Sequence, residues 1–185
     1  MPGDYWLSDN VFNREEIEKI NSLVKKVSIP NVDAKKVSPA HIVAKTSKVS
    51  VFQWGNVFNA LWPIEDRLRT ANTNEFAYNI FPFDSSQILL HNIYENGAEY
   101  DWHYDGNVSG DPKPTDVKLT VIVNLSEKEY TGGDFLLKSK GSEYKININI
   151  GSILIFKSWL FHRVTPVTAG KRISITTWAV GPKFR

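Results

Sequence analysis

From Ser86 onward the apolar residues stop recurring at helical intervals and fall into short runs of strand length, closed by Gly, Pro, Asn or Asp. The runs are Ser86 to Tyr94, the segment around Tyr100 to Tyr104, Lys118 to Leu125, Phe135 to Leu137, Lys145 to Ile150, Gly151 to Phe156, His162 to Pro166 and Arg172 to Val180. Their β-branched and aromatic content marks them as strands. No βαβ rhythm runs through them, which argues against a doubly wound sheet. About eight short antiparallel strands are best housed in a jelly roll or cupin-like double sheet.

The first eighty residues read differently. Ile17, Ile20, Val24 and Val27 recur at three- and four-residue spacing, which predicts an amphipathic helix over Arg14 to Val27, with cap material in Ser8-Asp9-Asn10. A second helix is expected over Val57 to Ala71, kinked or restarted at Pro63 and broken by Asn72-Thr73-Asn74. Residues 28 to 50 are polar and irregular. At 185 residues the expected organisation is one domain, with helical support over about 1–80 and a β core over about 86–181.

With no cysteine, disulfides, thiolate metal sites and a cysteine nucleophile are excluded. The 22 basic and 20 acidic residues are interspersed, so no nucleic-acid footprint is expected. No apolar run reaches the length of a membrane span and no secretory leader pattern opens the chain, so a cytoplasmic location is expected.

The chemistry-bearing stretch is Tyr100-Asp101-Trp102-His103-Tyr104-Asp105. On an extended strand, residues two apart share a face, so His103 and Asp105 can offer one nitrogen and one oxygen to a single point. By itself the pair reads equally as a strand-end histidine followed by a turn-capping aspartate. His162 lies in a later strand-like run, and Arg172 follows ten residues on. Two histidines and a carboxylate on one face of a metal, other positions open, is the ligand set of non-haem Fe(II) oxygenases.

Arg172, Ser174, Thr176 and Trp178 share a strand face, which suits an anchor for the distal carboxylate of a 2-oxo acid. Asn124 and the phenol of Tyr94 are further candidates for that cosubstrate. Trp178, Trp102 and Tyr100 are candidate substrate walls, although most aromatics in a β domain are core. His91 is expected to face outward, out of step with Leu90, Asn92 and Tyr94, and His41 has nothing near it to complete a ligand set. Gly132-Gly133 is expected as a turn requirement. The stretches Gly106 to Asp116 and Ser28 to Ser50 are candidate lids.

These residues resemble the prolyl-4-hydroxylase-like branch of the Fe(II)/2-oxoglutarate-dependent dioxygenases, the microbial and phage-type PKHD hydroxylases in particular. The matching pieces are Tyr94-Glu-Asn-Gly-Ala-Glu-Tyr-Asp-Trp-His-Tyr-Asp105, Lys118-Leu-Thr, Tyr130-Thr-Gly-Gly-Asp134, the block from His162 to Arg172, and Trp178 to Arg185. They cover the chain from about Ile88 onward. The resemblance implies a double-stranded β-helix, iron on His103, Asp105 and His162, and 2-oxoglutarate on Arg172 with Tyr94 assisting. It implies a hydroxylase that inserts oxygen into an unactivated C–H bond with release of succinate and CO2, O2 being consumed and ascorbate an optional accessory. Peptidyl proline is the expected substrate. A free amino acid, another small molecule, or a non-catalytic metal-binding cupin-like module are the alternatives. Many animal prolyl hydroxylases have a tyrosine at the position of Asn124. The shorter asparagine would reach the distal carboxylate only if the cosubstrate sits deeper, or through water.

Overall fold

The computed structural model describes residues 3–30, 45–106 and 114–184. His41 and most of the two candidate lids lie outside the described residues. Strands in chain order are β1 (Tyr5–Ser8), β2 (Lys48–Gln53), β3 (Ile88–Tyr94), β4 (Tyr100–His103), β5 (Thr115–Asn124) and β6 (Thr131–Gly132). They continue with β7 (Phe135–Ser139), β8 (Ser142–Ile146), β9 (Ile153–Lys157), β10 (His162–Val164), β11 (Val167–Ala169) and β12 (Arg172–Pro182). Two helices, α1 (Arg14–Val27) and α2 (Phe58–Ala71), complete the frame.

The strands form an antiparallel six-stranded sheet, β1-β9-β5-β12-β3-β2, and an antiparallel four-stranded sheet, β4-β10-β7-β8, with β11 and β6 paired beside them. Two apolar layers follow from this stacking. In one, the α1 and α2 side chains Ile17, Ile20, Val24, Leu61, Ile64 and Leu68 pack on Leu89, Val121, Val123, Ile153 and Ile175 of the large sheet. In the other, Tyr94, Ile122, Leu154 and Phe156 of the large sheet face Tyr100, Phe135, Leu137 and Val164 of the small one. The large sheet is thus covered on both faces, which is why β5 and β9 read as continuous apolar runs and not as alternation. The double-sheet architecture expected from the sequence is the one observed.

The helices show the residues that make them. Asn13, not the Ser8–Asn10 segment, caps α1. Its side chain accepts from Glu16 N at 3.0 Å while Glu16 accepts from Asn13 N at 2.8 Å. Helix α2 runs unbroken through Pro63, since the one backbone bond lost there is outweighed by burial of Leu61, Ile64 and Leu68. It then widens into a π-helical turn over Asn72–Phe76, and the Asn72 amide clamps both backbone groups of Tyr78.

Three local expectations are corrected. The N-terminal third contributes strands as well as helices, because β1 and β2 close the two edges of the large sheet. The alternating run at Lys145 to Ile150 pairs only as far as Ile146, after which Asn147 to Gly151 turns back toward Asn124. His91 faces away from the space between the two sheets, as its spacing requires, yet it is buried beneath the helical layer, and among the described residues its Nε2 has no hydrogen-bond partner. The turn at Gly132-Gly133 needs glycine as expected. Both have positive φ, and a methyl on Gly132 would collide with the Pro166 carbonyl.

Burial pushes the His91 pKa down from 6.5 to about 4, so the unfolded chain takes up a proton before the folded chain does. The stability tied to His91 is complete above about pH 6.5 and is lost as the pH falls through 4, on the order of 3 kcal/mol. Urea denaturation of His91→Leu between those pH values should show a shallower decline than the wild type.

Candidate metal centre and its pocket

His103 is the last residue of β4 and His162 the first of β10, and the antiparallel register sets them opposite one another. Their ring centroids are 4.1 Å apart. The register then shifts, His162 facing His103 but Val164 facing Tyr100, so β4 carries one extra residue. The bulge puts Tyr100 and His103 on the same inward face despite their odd spacing, and the Tyr100 ring stacks on the imidazole at 3.5 Å.

Asp105 lies just beyond β4. Its amide donates to Ser158 O at 2.8 Å, and its Oδ2 accepts from Thr120 Oγ1 at 2.9 Å. The carboxylate is therefore aimed by the β9–β10 turn and by β5, where the sequence suggested strand alternation alone. Its two oxygens stand 3.8 Å from His103 Nε2 and 3.5 Å from His162 Nε2. The ligand atoms of all three side chains lie within 4.8 Å of one another, and among the described residues this is the one such cluster.

The imidazoles are set for coordination. His103 Nδ1 is 2.7 Å from Asp101 O and His162 Nδ1 is 3.0 Å from Leu160 O. A carbonyl can only accept, so each Nδ1 carries the proton and each Nε2 turns a lone pair toward Asp105. Burial, reinforced by the second ring, pushes the His103 pKa down to about 3, and burial lowers that of His162. Both are neutral at physiological pH, the form that binds a metal. The donor set fits a divalent cation that takes two imidazoles and one carboxylate.

The same pocket contains Leu90, Tyr94, Ile122, Phe135, Arg172, Ser174, Thr176 and Trp178. Arg172 opens β12 opposite Tyr94, its guanidinium 5.3 Å from that ring's centroid and its Nη1 donating to Ser174 Oγ at 3.1 Å. It is 2% exposed and has no carboxylate within ion-pair distance among the described residues. A buried cation without a counter-ion is costly, which marks the place where an anion belongs. The open space between these side chains is about 20 Å³. On the far side of Arg172 lies a second cavity of about 640 Å³, lined in part by Asn124, Tyr130, Asp134 and Lys145.

The expected residues thus divide. His103, Asp105, His162, Tyr94, Arg172, Ser174, Trp178 and Tyr100 come together. Trp102 does not: it points to the opposite face of β4, where Lys138 Nζ sits 3.9 Å over its ring. Asn124 is committed elsewhere. Its Nδ2 donates to Ile148 O at 2.7 Å and to the Tyr130 hydroxyl at 3.2 Å, and its Oδ1 accepts from Ser126 N and Oγ. A tyrosine hydroxyl nevertheless stands at Asn124, brought by Tyr130 from the turn before Gly132-Gly133. Gly133 leaves room for it, because a methyl there would lie 3.0 Å from Arg172 Cδ and 3.3 Å from Tyr130 Cε2.

Lys45 has no counterpart in the sequence reading. Its backbone bridges to Tyr100 at the outer edge of β4, and its ammonium lies 4.6 Å over the Tyr100 ring, inside the pocket. Burial pushes its pKa down to about 8 against the pull of Asp105. It sits in a polar, aperiodic stretch, which carries no sequence signal for an inward-facing residue.

Residues 89–180 match the family model of the 2OG-Fe(II) oxygenase superfamily. The chain belongs to that superfamily. A PKHD-type hydroxylase of Alteromonas mediterranea is 34% identical over 91 residues, covering 47% of this chain and 40% of that protein. A PKHD-type hydroxylase of Escherichia coli is 30% identical over 93 residues, covering 48% and 41%. The matched stretch therefore spans about two fifths of these relatives. The fold is similar to that of a Pseudomonas putida prolyl-4-hydroxylase, with TM-score 0.67 and 15% identity over 98% of this chain and 94% of that one. It is also similar to the viral collagen prolyl hydroxylase of Paramecium bursaria Chlorella virus-1, with TM-score 0.68 and 20% identity over 96% of both chains.

In this member of the superfamily, Thr120 is the partner that orients the aspartate. Thr120→Val should leave the circular dichroism spectrum unchanged and weaken divalent-metal binding about 10- to 100-fold, measured by chelator competition.

Proposed function

We propose that this chain is an Fe(II)- and 2-oxoglutarate-dependent hydroxylase, with a peptidyl proline as its substrate. The observation that carries the reading is the pairing, in one buried pocket, of a His/Asp/His donor set with an arginine that has no counter-ion among the described residues. A metal alone gives Arg172 no function, whereas a diacid that chelates the metal at one end and meets Arg172 at the other uses both. The names of the curated relatives and the likeness to prolyl hydroxylases support the choice of proline.

In this reading His103, Asp105 and His162 hold the iron. When bound, it supplies the redox chemistry by which O2 oxidises 2-oxoglutarate to succinate and CO2 and hydroxylates the substrate C–H bond. The chain's residues bind and position. Arg172 receives the distal carboxylate bidentately, Ser174 holds the guanidinium, and Tyr94 presents its phenol beside it. The protons on both Nδ1 atoms are retained by backbone carbonyls, so the histidines stay fixed as ligands. His103, Asp105, His162 and Arg172 are each at most 4% exposed, which keeps bulk water from the reacting atoms. Trp178 supplies a wall for the substrate.

The test is an anaerobic titration of metal-free protein with Fe(II) and then 2-oxoglutarate, following the weak visible band of the chelate. The band should require both additions, and Arg172→Ala should need on the order of 100-fold more 2-oxoglutarate to develop it. Bound metal without any band would overturn the reading in favour of a binding module. Under turnover, His103→Ala should abolish succinate formation, and Trp178→Ala should raise substrate KM more than it changes uncoupled 2-oxoglutarate consumption.

A further inference from the structure

Paired residues on neighbouring strands point to the same side of a sheet. Lys45 is bridged to Tyr100, and Tyr100 faces the pocket, so Lys45 must send its side chain inward across that ring. Its backbone is held there by Thr46, whose amide donates to Glu99 O at 3.0 Å and whose Oγ1 accepts from Glu99 N at 2.9 Å. The lysine is therefore built into the site from outside the barrel, as a second cation distinct from Arg172. Among the described residues no carboxylate lies within ion-pair distance of it, and the nearest influence is the field of Asp105.

With a metal in place, Asp105 is committed to that ion. In the proposed complex a divalent metal, Arg172 and Lys45 bring four positive charges against three negative ones from Asp105 and a dianionic 2-oxo acid, which leaves one positive charge over. A second unsatisfied group belongs to a residue lining the same pocket: among the described residues, Trp178 Nε1 is buried without an acceptor. An ammonium with no carboxylate at ion-pair distance and an indole N–H with no acceptor, both among the described residues, are suited to a carboxylate. The cosubstrate has no further carboxylate to give, since its two are assigned to the metal and to Arg172.

We propose that Lys45, with Trp178 Nε1, binds a carboxylate of the primary substrate, so that this site selects a proline bearing an anionic group. The carboxylate is that of a free amino acid or of an acidic residue beside the proline in a peptide. This rests on the hydroxylase reading above, and it makes Lys45 a specificity determinant contributed by the N-terminal segment and not by the β core.

The test uses the full chain loaded with Mn(II) and 2-oxoglutarate, whose binding is measured first by calorimetry. Matched probes that differ in one carboxylate are then titrated: L-proline against L-prolinamide, and end-capped Gly-Pro-Glu against end-capped Gly-Pro-Gln. At least one carboxylate probe should bind about tenfold more tightly than its neutral partner. Lys45→Met should bring that ratio close to one, Lys45→Arg should keep it, and neither should move the Kd of 2-oxoglutarate. The pair that responds identifies the source of the carboxylate. Absence of carboxylate-dependent binding in the wild type overturns the proposal. So does a Lys45→Met variant whose loss falls on 2-oxoglutarate, which would make Lys45 a cosubstrate residue. A wild-type protein that takes up Mn(II) but not 2-oxoglutarate overturns the hydroxylase reading as well, and the initial titration separates that case.

Discussion

The site depends on the register of two short strands. His162 faces His103 because β10 pairs with β4 in one alignment, and β10 is only three residues long. A one-residue slip would turn His162 to the opposite face of the small sheet. The alignment is held from the other side by β7, whose Leu137, Leu136 and Phe135 pair with His162, Arg163 and Val164. Arg172 depends in the same way on β12, whose register against β3 sets it opposite Tyr94. The chemistry-bearing residues are thus few, and most of the apolar core serves to keep two alignments in phase.

That arrangement is expensive in the ligand-free protein. A guanidinium and an ammonium share a pocket with one carboxylate, and among the described residues an indole N–H is left without an acceptor. Each of these groups would be more comfortable in water. The long β5–β12 pairing and the helical layer over the large sheet supply the cohesion that keeps them buried. Ligands that satisfy these groups should therefore stabilise the fold as they bind.

Much of this was legible in the sequence, and the reasons differ by residue. Strand periodicity and the absence of helices after Ser86 specified a double sheet, since antiparallel strands need only turns between them. His103, Asp105, His162 and Arg172 stood out because their spacing on strand faces is itself geometric information. Trp102 and Tyr100, both expected as substrate walls, are placed on opposite faces of β4. Strict alternation puts both away from His103, and a bulge, which leaves no mark on composition, brings only Tyr100 inward. Asn124 is polar and on the correct strand, but its competitors for hydrogen bonding, Ser126, Ile148 and Tyr130, arrive from loops whose path no periodicity encodes. Lys45 was invisible because its orientation is imposed by pairing with Tyr100, a long-range contact.

The positions of the two half-sites within their sheets imply different residence times. His103 sits on β4, the outermost strand of the small sheet, braced beyond it among the described residues by the Lys45–Thr46 segment. Edge strands of four residues fray without the rest of the protein opening. Arg172 sits on β12, enclosed by β5 and β3, and cannot leave its place unless the large sheet comes apart. A metal held on β4, as proposed, would therefore have an exit route through local opening, whereas an anion held by Arg172 would sit on a strand as durable as the large sheet. In the proposed complex, metal exchange and loss of the anion site would then be separate events, with rates governed by different parts of the chain.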